Sequence, residues 1–414
     1  MKRIAIVGAG ISGLTAAWVL GRKHEVVLFE AENYIGGHTR TIEVKRDEAD
    51  YQVDIGFIVF NDRTYPNFNR LLSQLGIAGQ PTAMGFSVSS RTTGVEYSGG
   101  GFNGLFAQRR NLFSPRHWRM LREIVRFNRD ATRLLENPDD DPTMGEYLDR
   151  EGYSAHFRSH YILSMGGAIW SCGEKQMEDF PARFFIRFFA NHGLLSLTNR
   201  PQWYVVPGGS TRYVEKMLAR MPAEVRAGCP VRSVRRSESG VEVISAGHGS
   251  ERFDDVIFAC HSDQALALLA DAEPQEKLLL GDIPYQLNDV VLHTDTALLP
   301  ANRRTWSSWN ALLGGGSERP QLTYNMNILQ GIEAPVTFCV TLNANDRIAE
   351  DKVIGRYQLA HPVFTPDGQR ATARILARNG HRHTWFCGAW CRYGFHEDGV
   401  LSALNVCDAF GESL

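Results

Sequence analysis

Apolar positions in the first thirty residues fall into two short runs with a helical repeat between them. Lys2 to Val7 is a short apolar run ending in Gly8-Ala-Gly10-Ile-Ser-Gly13, and Leu14 to Leu20 follows at helical spacing. His24-Glu-Val-Val-Leu-Phe29-Glu30 then reads as a second buried strand closed by a carboxylate. The pattern predicts a strand–turn–helix–strand unit with its glycines at the first turn. From about Asn61 to Arg200 the apolar positions lengthen into amphipathic stretches and predict helices, with an exposed loop at Pro138 to Pro142. Strand signals return from Trp203 to Ala270. Val231–Val234 and Val241–Ile244 suggest paired strands there, and Asp255–Ala259 another buried strand. Asp289 to Leu342 reads as largely β with a loop at Gly314–Gly316, and Thr384 to Phe410 goes from strand through a glycine turn to a final helix.

Composition narrows the class without deciding it. The 414 residues are 43% hydrophobic and 22% charged, which excludes disorder, collagen-like repeats and coiled coil. The net charge of −2 gives no global field toward nucleic acid or an anionic membrane, so any such contact has to be local. Seven cysteines are scattered with no CxxC pair and no zinc-type spacing, which predicts a reducing compartment and no metal. Ile4 to Leu20 is uncharged and follows Lys2-Arg3, superficially like a signal peptide, but Gly8, Gly10, Gly13 and Gly21 weaken it as a membrane helix or signal core. Nothing else approaches bilayer-spanning length. The expected location is therefore the cytoplasm, with association at the inner face of the membrane as the one extension.

The glycine fingerprint has its full context: a strand before, a helix after, and Glu30 seventeen residues past Gly13. Gly8 permits the tight turn, Gly10 lets backbone approach a pyrophosphate, and Gly13 allows close helix–strand packing. Ile11 and Ser12 open the helix whose N–H groups face the phosphates. Glu30 accepts from ribose hydroxyls and disfavours a 2′-phosphate. A dinucleotide binds here on this reading.

Which dinucleotide follows from a resemblance. Glu30-Ala31, Gly36-Gly37-His38-Thr39-Arg40-Thr41 and Asp54-Ile-Gly56 resemble the flavin amine oxidase superfamily, as do Phe386-Cys-Gly388-Ala and Gly394-Phe-His-Glu397-Asp-Gly-Val400 near the carboxyl end. Pro207-Gly208-Gly209 and Val231 match its middle segment. The resemblance implies FAD, more readily non-covalent than linked through Cys387 or Cys391. It implies contacts from Gly36, Gly37, His38, Thr39, Arg40, Gly56, Phe57, Val231, Gly388, Glu397, Gly399 and Val400 beside the fingerprint residues. The expected fold is α/β, with a discontinuous Rossmann-type FAD domain (1–60, 201–275, 361–414) and an inserted substrate domain of mixed sheet and helices (61–200, 276–360). Gly56-Phe-Ile-Val-Phe-Asn-Asp-Arg-Thr-Tyr-Pro66, Met165-Gly-Gly-Ala-Ile-Trp170-Ser171 and Tyr324-Asn-Met-Asn327 are similar to one bacterial subfamily of predicted FAD-binding proteins. Its genes often neighbour cyclopropane-fatty-acid-synthase-like methyltransferases, which implies oxidation of modified acyl chains of the kind leading to furan fatty acids.

The chain departs from the superfamily at several points. His38 stands where the superfamily has arginine, and Phe395 where amine oxidases place a cage tyrosine. No lysine is placed to face a flavin, Lys277 and Lys352 reading as exposed. Phe395, Tyr393 and Trp390 are the candidates for the flavin-facing wall, and Tyr324 and Asn325 (with Asn327) for the opposite one. Arg119, Arg122, Arg126, Arg129 and Arg133 share a helix face, read either as a contact for anionic lipid or as a solvated surface. The stripe Arg183-Phe-Phe-Ile-Arg187-Phe-Phe189 is either core or an acyl tunnel. Three functions stay open: an FAD-dependent oxidoreductase acting on a small-molecule or lipid substrate, in particular a desaturase of phospholipid-linked unsaturated or methylated acyl chains; an amine or polyamine oxidase; and a non-catalytic lipid-binding protein of the same fold.

Overall fold

The first strand, Arg3–Val7, stops where Gly8 takes φ +102°, a left-handed conformation that a side chain would strain. The helix Ile11–Leu20 starts at Gly10 and is buried on every face, which suits its apolar, uncharged sequence. Gly13 seats it on the turn: a Cβ there would lie 1.9 Å from the Gly8 carbonyl oxygen. This computed structural model describes all residues except 47, 138, 171–172, 197–199 and 315–320. Pro138, Ser171 and Gly315–Gly316, named above, therefore lie outside the described residues, as does Cys172 of the seven cysteines.

Five parallel strands form one sheet in the order Glu224–Arg226, Glu25–Phe29, Arg3–Val7, Asp255–Phe258, Thr384–Phe386. Alternation along the two central strands divides its faces. Ile4, Ile6, Val26 and Leu28 pack toward the helices, whereas Ala5, Val7, Val27 and Phe29 pack toward an antiparallel three-stranded sheet, Val231–Ser237, Gly240–Ser245 and Gly249–Phe253. Arg3–Val7 has its sequence neighbour on one side and a strand beginning at residue 255 on the other. That is a topological switch point, and ligands bind at the carboxyl ends of strands there.

A second sheet has seven strands in the order Val353–Pro362, Tyr285–His293, Cys339–Leu342, Gln321–Asn325, Trp309–Leu313, Phe86–Ser90, Glu96–Ser98. The last two correct the expectation of helices from about Asn61 to Arg200, as does the short strand Gln80–Thr82. Phe86–Ser90 escapes notice because Ser87 and Ser90 are buried, and the Ser87 hydroxyl donates 2.8 Å to Asn310 Oδ1 of the neighbouring strand. Buried polar residues erase the alternation by which a strand is read. Helices dominate from Phe102 to Asn191, including Pro115–Asp130, Met144–Arg150 and Ala182–Asn191, and close around a core rich in phenylalanine. The final helix, His396–Ala409, lies along Ile11–Leu20, and Gly399 makes the approach possible.

Candidate functional site

A cavity of about 1050 Å³ opens from the Gly8–Gly10 turn and continues to Trp309 and Tyr324 of the seven-stranded sheet and to Met165 and Phe188 of the helical region. Its size is at the upper end for small-molecule sites. At the nucleotide end the Glu30 carboxylate accepts the backbone N–H of Ala9 at 2.8 Å and of Glu32 at 3.0 Å. A Cβ built on Gly10 would meet no atom within 4 Å, so the space over the turn is open. No side chain caps the helix that starts there, and its first-turn N–H groups have no partner within the helix. An uncapped, buried helix end beneath open space, flanked by a fixed carboxylate, suits a pyrophosphate and a ribose. The residues present thus fit a dinucleotide.

Histidines give the site its electrostatics. The His38 ring lies 5.1 Å from that of His361 and 6.3 Å from that of His261, and all three line the cavity. Burial holds His38 down to about 4 and His361 to about 3, and it lowers His261. At neutral pH they are uncharged donors where an arginine would be a cation. His38 Nε2 is buried without a hydrogen-bond partner among the described residues. His396 stacks on Phe57 with centroids 3.6 Å apart, and its Nε2 lies 2.7 Å from the Tyr213 hydroxyl and 3.3 Å from Thr39 Oγ1. His192 Nδ1 is 3.0 Å from the Phe188 carbonyl oxygen. A carbonyl only accepts, so Nδ1 carries the proton and Nε2 keeps a lone pair. Burial holds His192 to about 4.

Most residues expected to hold a cofactor share this one wall. The fingerprint contributes Gly8, Gly10, Ile11, Ser12 and Glu30, and the second glycine pair contributes Gly36, Gly37 and His38. Gly56, Phe57, Val231 and Gly388 complete the set. Six others sit behind the wall. Gly13 and Gly399 are packing contacts, the latter with Ile11 and Ser12, and Val400 is core. Thr39 is buried against Tyr213 at 2.6 Å, and the Arg40 guanidinium lies between the rings of Tyr34 and Tyr357, at 4.6 and 4.8 Å. Glu397 turns to the helix Pro66–Gln74, where its carboxylate accepts the backbone N–H groups of Asn67 and Phe68 at 3.1 and 2.9 Å. Burial outweighs these bonds and raises its pKa.

Of the expected substrate walls, Trp390, Phe395 and Tyr324 line the cavity. Tyr393 instead packs on Phe184 and Phe188, and Asn325 caps the short helix Met326–Gln330 through its side chain. Asn327 belongs to that helix. Phe188 of the phenylalanine stripe reaches the cavity, while Phe185 and Phe189 are core. His192, His261, His361, Trp309 and Trp203 also line it. Lone histidines and tryptophans carry no spacing signal, and only the fold assembles them. Cys387 and Cys391 pack in apolar cores, and burial raises both thiols. No lysine lines the cavity, and no metal-binding cluster occurs, among the described residues.

A glycine turn at a parallel switch point, sharing one long cavity with a second, mixed sheet, defines the class of α/β dinucleotide-binding proteins. The chain belongs to the flavin-containing amine oxidoreductase family, whose profile matches residues 11–314. FAD is the cofactor this membership implies, and the open fingerprint end accommodates it. A Mycobacterium tuberculosis protein, AofH, provisionally named a flavin-containing monoamine oxidase, is 30% identical over 254 residues, covering 58% of this chain and 53% of that one. Flavin-containing amine oxidase A of Canis lupus familiaris is 25% identical over 261 residues, covering 60% and 47%. The chain thus matches about half the length of these relatives. A redesigned putrescine oxidase superposes with TM-score 0.71 at 17% identity, covering 99% of both chains. A fatty acid isomerase from P. acnes, described as producing CLA, does so with TM-score 0.71 at 13% identity, covering 99% of this chain and 98% of that one. At such identities the superpositions establish the shared fold.

Proposed function

We propose that the protein is an FAD-dependent oxidoreductase that removes hydride from an activated C–H bond of an apolar acyl chain, leaving a new double bond. The substrate class is an unsaturated or methylated chain, phospholipid-linked, of the kind that precedes furan fatty acids. One observation carries the reading: away from the nucleotide end the cavity wall is mostly apolar and aromatic. Among the described residues Arg200 is the one charged side chain there, and the cavity's carboxylates are Glu30 and Glu32 alone. An ammonium substrate would be desolvated there without a counter-ion, which is costly, whereas an acyl chain gains from each buried methylene. Bound FAD supplies the two-electron acceptor for the departing hydride. Phe395, Trp390 and Tyr324 hold the chain in place and exclude water. Once the hydride has left, the adjacent C–H is acidic enough for His192 Nε2, a weak base because burial holds it to about 4, to accept the proton.

Amine oxidation is the second reading, favoured by the names of the relatives and by the aromatic walls, which could cage a cation. Anaerobic mixing of the purified holoprotein with phospholipid and amine panels, followed by flavin absorbance, separates the two. Bleaching by phospholipids with unsaturated or methylated chains and silence toward amines is the expected outcome. Bleaching by amines alone overturns the acyl-chain reading.

A further inference from the structure

Four large apolar side chains stand out on the surface of the helical region: Phe113 is 88% exposed, Phe102 60%, Val125 51% and Trp118 43%. Nearby contacts gather three of them. Phe106 lies 4.8 Å from the ring of Phe102 and 5.0 Å from that of Trp118, and the Trp118 indole donates 2.9 Å to the carbonyl of Leu112, next to Phe113. Val125 follows two turns later on the helix Pro115–Asp130, where Trp118, Arg122, Val125 and Arg129 form one exposed stripe. A solitary exposed phenylalanine would need no explanation, but a cluster of this kind does.

The charge around it is predominantly positive. Arg109, Arg110, Arg116, Arg119 and Arg122 are exposed, and the turn Arg303–Thr305, packed against Phe102–Leu105, adds exposed Arg303 and Arg304. From residue 101 to 129 the single acid is Glu123, buried and paired with Arg119 at 3.2 Å. The farther arginines of the helix face are already engaged: Arg126 lies 4.1 Å over the Tyr153 ring, and Arg129 and Arg133 pair with Asp130 at 2.7 and 3.1 Å. The cavity also reaches the surface beside this patch, because exposed Gly99 and Gly100 line it immediately before Phe102.

We infer that the segment 101–125, with Arg303 and Arg304, is a docking surface for a bilayer of anionic phospholipid. Phe102, Phe113, Trp118 and Val125 enter the boundary between headgroups and acyl chains, the arginines bind phosphates, and the cavity mouth at Gly99–Gly100 faces the lipid. Charge complementarity selects the bilayer over a second copy of the chain, whose matching patch would bring seven exposed arginines against seven like charges. The inference goes beyond the acyl-chain reading and stands without it, since it concerns binding and not turnover.

Co-sedimentation of the FAD-loaded protein with vesicles tests it, using phosphatidylcholine alone against equal parts phosphatidylcholine and phosphatidylglycerol. Binding to the anionic vesicles, little to the neutral ones, and weakening with added salt are expected. Phe113→Ser alters a side chain that is almost wholly exposed. That variant, and the double variant with Trp118→Ser, should lower the affinity at least about tenfold for the pair at two buried side chains' worth of transfer free energy. Flavin absorbance and melting temperature should remain as in the parent for Phe113→Ser. Absence of vesicle binding, or binding that Phe113→Ser and the double variant leave intact, overturns the inference. So does lipid-free self-association abolished by Phe113→Ser, which would assign the patch to a second copy. Docking with activity confined to amines would sink the acyl-chain reading and leave the surface standing.

Discussion

Glu30 accepts two backbone N–H groups before any ligand arrives, so its oxygens are already oriented at the carboxyl end of the strand Glu25–Phe29. Pre-orientation lowers the entropy lost when a ribose binds. Glu30→Gln should weaken FAD binding by roughly 10- to 100-fold, the scale of one hydrogen bond to a charged group. Fluorescence titration of the apoprotein with FAD reads this directly, and an unchanged affinity would remove Glu30 from the ribose contact. Glu30 was legible in sequence because strand, turn, helix and carboxylate lie within one local unit. His192 and His361 were not, because their places on the wall depend on packing between segments far apart in the chain. Glu397 shows the opposite failure. Its motif was visible, but its carboxylate serves the backbone of Asn67 and Phe68 and does not line the cavity.

Two helices from opposite ends of the sequence meet without room to spare. A Cβ on Gly399 would come within 2.7 Å of Ile11 Cγ2 and 3.0 Å of Ser12 Oγ, both on residues that line the cavity. Gly399→Val should therefore cost about 1–3 kcal/mol through overpacking, read as a lower denaturant midpoint with an unchanged slope. Wild-type stability in this variant would mean that the two helices separate freely. The strands Arg3–Val7, Glu25–Phe29 and Asp255–Phe258 were legible as apolar runs, as was the pairing of Val231–Ser237 with Gly240–Ser245. The strand Phe86–Ser90 and the edge strand Glu96–Ser98 were not. Their polar residues are satisfied by partners from a distant part of the chain, and no local pattern announces that.

Across the whole molecule, burial lowers the pKa of ten of the thirteen histidines, from His24 near the surface to His396 at the cavity wall. Below pH 6.5 the unfolded chain takes up protons that the folded one refuses, so stability present above pH 6.5 is lost as pH falls toward 4. Asp54 and Asp398, raised by burial to about 6, and Glu174 and Glu397, also raised by burial, act in the other direction, but they are four against ten. The melting temperature should fall steadily from pH 7 to pH 5, and a flat profile would contradict this balance. The parallel sheet has a consequence of another kind, because its strands Arg3–Val7 and Thr384–Phe386 lie almost the whole of this sequence apart and are made at different times. At ribosomal speeds of roughly 5–20 residues per second, tens of seconds separate the two. Through that interval the nascent chain carries an unfinished sheet with an open edge. An open edge is a template for pairing with another chain, so synthesis is the stage at which this fold is most exposed to aggregation.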